Sequence, residues 1–253
     1  MTYLAFHAAF ILPPISALIV LQRKPMGGIG AKRAWGWIAL VALIAFIYTT
    51  AWDNYLVYRG VWYYGEDRVL ATIGYVPIEE YMFFLLQPVL TGLWLMIVHA
   101  QISDSHAESS SSIRPLLVAF WSAVSLAGVA MLFGTRTLYM GLILAWAGPV
   151  LAGMAWLSAP VFWRHRRAWI VGIAVPTVYL WIADRFAISN GIWDISNTYS
   201  LDFDPLGLPI EEAVFFLVTN ILVVQGLLMF IASQPGDLPS RFPKKLLAIT
   251  DQT

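Results

Sequence analysis

Two short stretches of the sequence carry residues that could do acid–base chemistry. PIEEYMFF begins at Pro77 and PIEEAVFF begins at Pro209, so each places two adjacent glutamates at the start of a long apolar run. The four acidic residues are Glu79, Glu80, Glu211 and Glu212. A carboxyl group removed from water favours its uncharged form, and a second carboxyl group beside it adds to this tendency. The repeated pair therefore predicts a general acid in an apolar environment.

The residues that follow each pair suggest which glutamate faces inward. Phenylalanines lie about one helical turn further on, where their ring faces could stabilise a cation. Polar residues continue the same helical face, and polar residues in a membrane span normally face the interior of the bundle. The pattern therefore favours the second glutamate of each pair, Glu80 and Glu212. The phenylalanines are Phe83, Phe84, Phe215 and Phe216, and the polar residues are Gln87, Thr91, Thr219 and Asn220.

The same acidic residues also have a purely structural interpretation. Pro77 and Pro209 suit the first turn of a helix, and glutamates just behind them would interact favourably with the helix dipole at a membrane surface. Asp53 and Asp184, the latter beside Arg185, are predicted to end helices as interfacial caps, with a supporting catalytic role as the alternative. The residues alone leave both interpretations open, although the recurrence of the glutamate pair favours catalysis.

The composition indicates a membrane protein. Of the 253 residues, 59% are hydrophobic and only 12% are charged, whereas about a quarter are charged in soluble domains. The net charge is zero and the basic residues are dispersed, which argues against a nucleic-acid partner. The absence of cysteine excludes disulfides and thiolate chemistry. The spacing of the histidines predicts no metal site; they are His7, His99, His106 and His165.

Seven segments are apolar over the length that a membrane-spanning helix needs, about 20 residues. They are residues 2–21, 34–52, 77–99, 115–134, 138–160, 169–188 and 209–232. None alternates as the strands of a membrane barrel would, so helices are predicted throughout. The first segment has no basic region before it and no small-residue cleavage site after it, so we interpret it as a retained helix and not as a signal peptide.

The basic residues predict the orientation of these spans. With the N-terminus outside the cell, eleven of the fifteen lysines and arginines face the cytoplasm, as the positive-inside rule requires. The eleven are Arg23, Lys24, Lys32, Arg33, Arg114, Arg164, Arg166, Arg167, Arg241, Lys244 and Lys245. The C-terminus is then cytoplasmic. The serine-rich loop 100–114 is predicted to be a flexible, solvated connector.

The chain contains an internal repeat. At an offset of 131 residues, Asp53 matches Asp184, Gly60 matches Gly191 and Trp62 matches Trp193. The two glutamate motifs match at an offset of 132. Near the start of each copy the offset is 135, where Thr2 matches Thr137 and Pro14 matches Pro149. Three spans in each copy and one span between them make the copies parallel, with a shared site expected at their interface. The predicted units are a first repeat at 1–99, a loop and linker helix at 100–136, a second repeat at 137–235 and a cytoplasmic tail at 236–253.

The doubled Pro-x-Glu-Glu motif, the three-plus-one-plus-three spans and the length resemble the fused form of the heterodimer-type lycopene cyclases, which are small integral-membrane enzymes. The resemblance covers nearly the whole chain. It maps the motif of that family onto Pro77, Glu79 and Glu80, and again onto Pro209, Glu211 and Glu212. It therefore implies that the four glutamates are catalytic.

The resemblance implies an acid-catalysed, redox-neutral cyclisation of the linear ends of lycopene to β-ionone rings, through γ-carotene to β-carotene. The substrate is a hydrocarbon dissolved in the bilayer, so the implied partners are lycopene, γ-carotene and membrane lipid, with other carotenoid-pathway enzymes as an open option. No cofactor is expected, because the glycines of MGGIGAKR lack the spacing of a dinucleotide-binding loop.

Other seven-helix proteins are the alternatives. Rhodopsins are bundles of this kind, and kinship in fold with them stays open, but the last span has no lysine for a covalent retinal. A small-solute transporter with parallel three-helix repeats is the stronger alternative. Against it, the repeated polar feature lies at one membrane face, whereas a transport site must be reached from both. A scaffold without chemistry would leave the doubled acidic pairs unexplained.

Overall fold

The chain spans the membrane with helices. A computed structural model describes residues 1–22, 29–102 and 113–233, and within them seven helices are long and apolar enough to cross a bilayer. They are α1 (Tyr3–Leu21), α2 (Ala31–Tyr58), α3 (Ile78–Gln101), α4 (Ile113–Met131), α5 (Leu138–Arg164), α6 (Arg166–Ser189) and α7 (Ile210–Ala232). Each corresponds to one predicted segment, so the prediction of an all-α membrane protein with seven spans is confirmed.

Some of the predictions concern residues outside the described ranges. These are the central part of the serine-rich loop, with His106, and the cytoplasmic tail at 236–253. Five of the basic residues used to predict orientation are also outside them: Arg23, Lys24, Arg241, Lys244 and Lys245.

Helices α3 and α7, which carry the acidic pairs, lie at the centre of the bundle. Each begins directly after its proline, because Pro77 and Pro209 have extended backbone angles and stand one residue before the helix, not in its first turn as predicted. Deeper in the membrane, Gln87 Nε2 and Thr91 Oγ1 donate to Asn220 Oδ1 over 2.8 and 2.6 Å. All three side chains are buried, so these hydrogen bonds fix α3 against α7 where water cannot compete.

A short ribbon joins the two halves at one face of the bundle. Strand β1 (Trp62–Tyr64), which follows α2, pairs antiparallel with β4 (Trp193–Ile195), which follows α6. Tyr63 lies opposite Asp194, and these residues are equivalent at the offset of 131, so the pairing has a pseudo-two-fold axis through its centre. The flanking backbone bonds obey the same symmetry; they are Gly65 N to Ile192 O (3.1 Å) and Ser196 N to Val61 O (2.9 Å). The other two strands, β2 (Thr72–Ile73) and β3 (Val76–Pro77), pair with each other before α3.

Equivalent glycines turn the chain from α2 into β1 and from α6 into β4. Gly60 and Gly191 have φ values of 67° and 60°, in the left-handed region that glycine adopts without steric cost. Both stand directly after the helix end, where a left-handed residue satisfies the last carbonyl groups. The repeat therefore positions the ribbon in the same way from each half.

Helix α4 packs on the outside of the bundle against α5. Few of its residues are buried, and the two helices approach closely through glycine. A Cβ atom on Gly128 would lie 2.5 Å from Ala145 N, and one on Gly148 would lie 2.9 Å from Ser125 Cα. Small residues of this kind allow close packing of helices in lipid. Helix α4 therefore lies at the periphery of the bundle and packs mainly against α5.

The N-terminal helix of each half carries an equivalent tyrosine in its first turn. Tyr3 N donates to Arg68 O over 2.8 Å, and Tyr139 N donates to Tyr199 O over 3.0 Å, which gives an offset of 136 at this level. Helix α1 then contains a π-helical turn at His7–Ile11. Such a turn accommodates one extra residue, which accounts for the offset of 135 between Pro14 and Pro149. The match of Thr2 with Thr137 at the same offset lies before this turn and is not explained by it.

Candidate active site

A small, partly enclosed cavity lies between the two halves, directly against the β1–β4 ribbon. Its volume is about 30 Å³, and residues of both halves form its wall. Glu80 of α3, Glu212 of α7 and Asp184 of α6 contribute carboxyl groups to it. Each of these side chains is at least 94% buried. The cavity therefore brings acidic groups from both copies together at the interface of the repeats.

Glu80 is held by two tyrosine hydroxyl groups. Tyr3 Oη donates to Glu80 Oε2 over 2.7 Å, and Tyr64 Oη donates to the same oxygen over 3.4 Å. Burial raises the pKa of Tyr64 well above its usual value, and the neighbouring carboxyl groups of Glu80, Asp53 and Glu212 raise it further. Tyr64 therefore keeps its proton and remains a hydrogen-bond donor to Glu80.

Glu212 has a different set of neighbours. Tyr139 Oη donates to Glu212 Oε1 in a short hydrogen bond, and Tyr139 is the counterpart of Tyr3. Asp184 lines the same cavity, and its Oδ1 accepts a hydrogen bond of 2.9 Å from Trp193 Nε1 in the ribbon. The second half thus brings two acidic side chains to the cavity wall, whereas the first half brings one.

The first glutamate of each pair is bound to its own loop. Glu79 Oε1 accepts from Leu70 N over 2.9 Å, and Glu211 Oε1 accepts from Leu201 N over 2.7 Å. Neither residue lines the cavity, although both side chains are fully buried. The prediction that the second glutamate faces inward is therefore confirmed, and the structural interpretation of the pair describes the geometry of the first.

The prediction that Asp53 and Asp184 are interfacial caps is wrong. Helix α2 continues five residues beyond Asp53, and α6 continues five residues beyond Asp184. Both side chains are buried, at 0% and 2% exposure. For Asp184, the ribbon contributes to this burial, because Trp193 of β4 donates to its carboxyl group. Asp53 is not on the cavity wall, and neither of its oxygens has a hydrogen-bond partner among the described residues.

Aromatic rings form most of the remaining wall. The phenylalanines on it are Phe6, Phe83, Phe215 and Phe216, and the ribbon adds Trp62, Tyr64 and Trp193. Tryptophan and tyrosine in membrane proteins are enriched at the interface with water, but these three ribbon residues lie in the site. Their signal in the sequence was the match of Trp62 with Trp193 between the repeats. Tyr3 and Tyr139 were missed because their equivalence depends on the shifted offset in α1.

Besides Asp53, three other candidates for a supporting role lie away from the cavity. Phe84 is buried beside Tyr81, with ring centroids 5.8 Å apart. Gln87 belongs to the hydrogen-bonded group between α3 and α7. Arg185 is exposed, with its guanidinium beside Gly207. None of the three lines the cavity, so they support the site from a distance at most.

The cavity has the components that proton-driven carbocation chemistry requires. Carboxyl groups from both halves can donate and accept a proton without a bound cofactor. Aromatic ring faces attract a cation, and tyrosine and tryptophan donors fix the orientation of the carboxyl groups. The volume leaves space for about two water molecules, so little water is present to intercept a cation.

Comparison with known proteins identifies relatives over most of the chain. The family model described as lycopene cyclase matches residues 1–98 and 135–230. A protein named lycopene beta-cyclase from Halobacterium salinarum is 39% identical over 231 residues, which cover 90% of this chain and 95% of the relative. Two bifunctional lycopene cyclase/phytoene synthases are each 33% identical to this chain. The match to the protein of Sporisorium reilianum covers 91% of this chain and 35% of the relative. The match to the protein of Aspergillus niger covers 87% of this chain and 38% of the relative. No solved structure matches. The names of these relatives give no support to a transporter.

Proposed function

Because this chain belongs to the lycopene cyclase family, and so cyclises lycopene in carotenoid biosynthesis, we propose that it does so at the cavity between Glu80 and Glu212. The single observation that carries the proposal is that one small cavity brings together the repeated glutamate of each half. The product we propose is the β-ionone ring, formed first on one end of lycopene to give γ-carotene and then on the other to give β-carotene. The reaction is an intramolecular isomerisation, since one proton enters and one leaves.

The reaction needs one protonated carboxyl group as proton donor and one carboxylate as proton acceptor. After ring closure the donor is a carboxylate and the acceptor is protonated, so a proton returns from the acceptor to the donor before the next ring closes. The proton adds to the terminal double bond of the polyene and leaves a tertiary carbocation. The neighbouring double bond closes on that cation to form a six-membered ring, and the positive charge moves to a ring carbon. A carboxylate then removes a ring proton, and the electrons of that C–H bond become the ring double bond. No electron acceptor or donor is consumed.

We assign the acid to the second half and the base to the first. Glu212 shares the cavity with Asp184, and two neighbouring carboxyl groups retain one proton between them more readily than either alone. Glu80 accepts two hydroxyl groups, and donors of this kind stabilise the charged form of a carboxylate. In this assignment Glu79 and Glu211 are not in contact with the substrate but hold the loops that cover the cavity.

The aromatic wall has two roles in the proposal. Ring faces of Phe83, Phe215 and Phe216 stabilise the carbocation before and after ring closure. Their bulk also excludes water, which would otherwise add to the cation and give an alcohol. Because the cavity holds about 30 Å³, the end of the polyene must displace these side chains when it enters.

Expression in a host that accumulates lycopene tests the proposal. The pigments are extracted and separated by chromatography, and the expected products of the wild-type chain are γ-carotene and β-carotene. Unchanged lycopene beside well-inserted protein would contradict the function. A product with a different ring double bond would contradict only the β-ring assignment, because the position of the base decides which ring proton is lost.

We also propose the predicted orientation, with the N-terminus and the ribbon outside. The support is the distribution of basic residues along the sequence. The chain has no cysteine, so single cysteines can be labelled without background. A membrane-impermeant maleimide should label Asn190→Cys in intact cells, and Lys32→Cys only after permeabilisation, since both positions are exposed and lie at opposite ends of helices. The reverse pattern would contradict the orientation.

The division into units at 1–99, 100–136, 137–235 and 236–253 remains a proposal as well. Its support is the symmetric backbone pairing of β1 with β4, which needs no covalent link through α4. Co-expression of 1–99 and 137–235 as separate chains should restore cyclisation of lycopene. Failure of two well-inserted fragments to associate would contradict the boundaries.

A further inference from the structure

We propose that the seam between α6 and α7 on the lipid-facing surface is the entry path and binding groove for the linear part of the polyene. The proposal rests on the function proposed above, because it names the place where the substrate lies while one end reacts. It assigns a binding site outside the acidic cavity, and it assigns that site to one half of the molecule only.

An open, apolar groove runs along this seam. Its volume is about 330 Å³, within the range of about 300–1,000 Å³ that is usual for small-molecule sites. It extends along α6 from Trp169 to Trp181, a separation of 12 residues, which corresponds to about 18 Å at 1.5 Å per residue. Ala174 and Thr177 form its floor on α6, and Leu217 borders it on α7. The shape suits an extended hydrocarbon chain lying parallel to the helix.

One end of the groove adjoins the acidic cavity. Trp181 Nε1 donates to Ala213 O over 2.9 Å, which bridges α6 and α7 at the level of the cavity. On the inner side of this bridge, Leu180 and Asp184 line the cavity on α6, and Glu212 directly precedes Ala213 on α7. Displacement of one indole ring would therefore connect the groove with the acidic groups.

The equivalent seam of the first half, between α2 and α3, is filled. Tyr81 takes the place of Ala213 in the repeated motif, and Phe46 takes the place of Thr177. The rings of Phe46 and Tyr81 lie 5.8 Å apart. Tyr81 Oη also accepts from Asn54 Nδ2 over 2.8 Å and donates to Ile73 O over 3.0 Å. A bulky, hydrogen-bonded side chain thus fills the first seam at the position where the second half has a small residue, bridged by Trp181.

The acidic cavity and the groove together indicate which kind of molecule binds in the groove. The cavity of about 30 Å³ can expand around the reacting end only, so the remainder of a long hydrocarbon must lie elsewhere. An apolar groove open to lipid accepts that remainder without removing it from an apolar environment. A lipid acyl chain would fit the same surface, but it has no end group that the acidic cavity would act on. The adjacency of groove and cavity therefore favours the polyene.

The test compares a long and a short substrate. The Ala174→Trp variant fills the groove without contacting the cavity, and Leu43→Trp is its matched control, because Leu43 is the equivalent position on the closed seam. Each purified variant is supplied in proteoliposomes with lycopene, or with a shortened acyclic polyene that has the same terminal group. Cyclised products are quantified by chromatography, and correct folding is checked by size-exclusion chromatography in detergent.

We expect Ala174→Trp to lower cyclisation of lycopene about tenfold or more relative to its activity on the short polyene, since a displaced chain misaligns the reacting end. Leu43→Trp should treat both substrates as the wild type does. Equal activity of Ala174→Trp and Leu43→Trp on lycopene, as expected if lipid alone occupies the groove, would overturn the proposal. Equal loss on both substrates in a folded variant would also overturn it.

A second variant covers the case in which Ala174→Trp does not fold. Ala213→Tyr introduces the residue that closes the first seam, and it should give the same selective loss on lycopene. If Ala213→Tyr kept the wild-type ratio of activities on lycopene and on the short polyene, the proposed binding groove would be wrong. Failure of the wild type to cyclise either substrate would instead contradict the proposed function, so the two failures are distinguishable.

Discussion

The two halves of the molecule share one frame but surround their glutamates differently. In the first half Glu80 accepts two tyrosine hydroxyl groups, while Asp53 lies off the cavity wall. In the second half Glu212 accepts one, and Asp184 lies on the wall beside it. The repeat therefore supplies a matched pair of acidic groups, and the local departures from symmetry give the two groups unequal environments. A proton donor and a proton acceptor need such inequality.

Removal of either inward glutamate should have the largest effect. We expect Glu212→Gln and Glu80→Gln each to lower cyclisation by about 100-fold or more, because general acid–base catalysis commonly contributes that much. The measurement is the pigment profile of a lycopene-accumulating host, at equal levels of inserted protein. Full activity of either variant would contradict the assignment of the two glutamates as proton donor and acceptor, since one glutamate would then suffice.

The two aspartates should differ more than their equivalence in the repeat suggests. Asp184→Asn is expected to lower activity about tenfold or more, because it removes the second carboxyl group from the cavity wall. Asp53→Asn should have a smaller effect on turnover, since Asp53 lies off that wall. Rates of purified variants on lycopene in proteoliposomes check this order. The opposite order would place the acid in the first half.

Substitution of the tyrosines that donate to the two inward glutamates should also have unequal, but smaller, effects on the rate. Tyr139→Phe leaves Glu212 without its tyrosine donor, whereas Tyr3→Phe leaves Glu80 with Tyr64. A hydrogen bond to a charged group contributes about 1.5–3 kcal/mol, and Glu212 becomes charged as it donates its proton, so Tyr139→Phe should lower the rate about tenfold and Tyr3→Phe should lower it less. Turnover numbers of the two variants, measured side by side, test the difference. Equal losses would mean that Tyr64 contributes little at 3.4 Å.

The outward glutamates should have the smallest effect on catalysis. Glu79→Gln and Glu211→Gln retain an oxygen that can accept the hydrogen bond from Leu70 N or Leu201 N. We expect activity within about threefold of the wild type and a small decrease in thermal stability, because about 1 kcal/mol is typical for a weakened hydrogen bond. Thermal unfolding in detergent and the pigment assay measure both quantities. A loss of activity comparable to that of Glu80→Gln would indicate that all four glutamates take part in catalysis.

The sequence predicted the helices and the glutamates that face inward because both depend on patterns within one helix. Long apolar runs determine spans in a bilayer, and a polar stripe identifies the buried side of α3 and α7. The repeat also located Asp53, Asp184, Trp62 and Trp193 as equivalent residues. These features need no knowledge of how distant segments meet.

The rest of the site depends on contacts between distant segments. The hydroxyl of Tyr3 meets Glu80 across 77 positions in the sequence, and no local pattern indicates that contact. The aspartates were predicted as surface caps because the apolar runs stop near them, whereas both side chains are buried and the ribbon donates a hydrogen bond to one of them. The seams were equally hidden, although Tyr81 and Ala213 are visible as a difference within the repeated motif.

The symmetric pairing of β1 with β4 bears on the origin of the protein. Each strand offers its partner the same backbone groups at equivalent positions, which is the property of an isologous contact. Two identical three-helix subunits could form this contact without any change of sequence. Duplication and fusion of an ancestral gene would then preserve the interface already present in a homodimer. After fusion, each copy would be free to mutate separately, one toward the closed seam of Tyr81 and the other toward the open seam of Ala213.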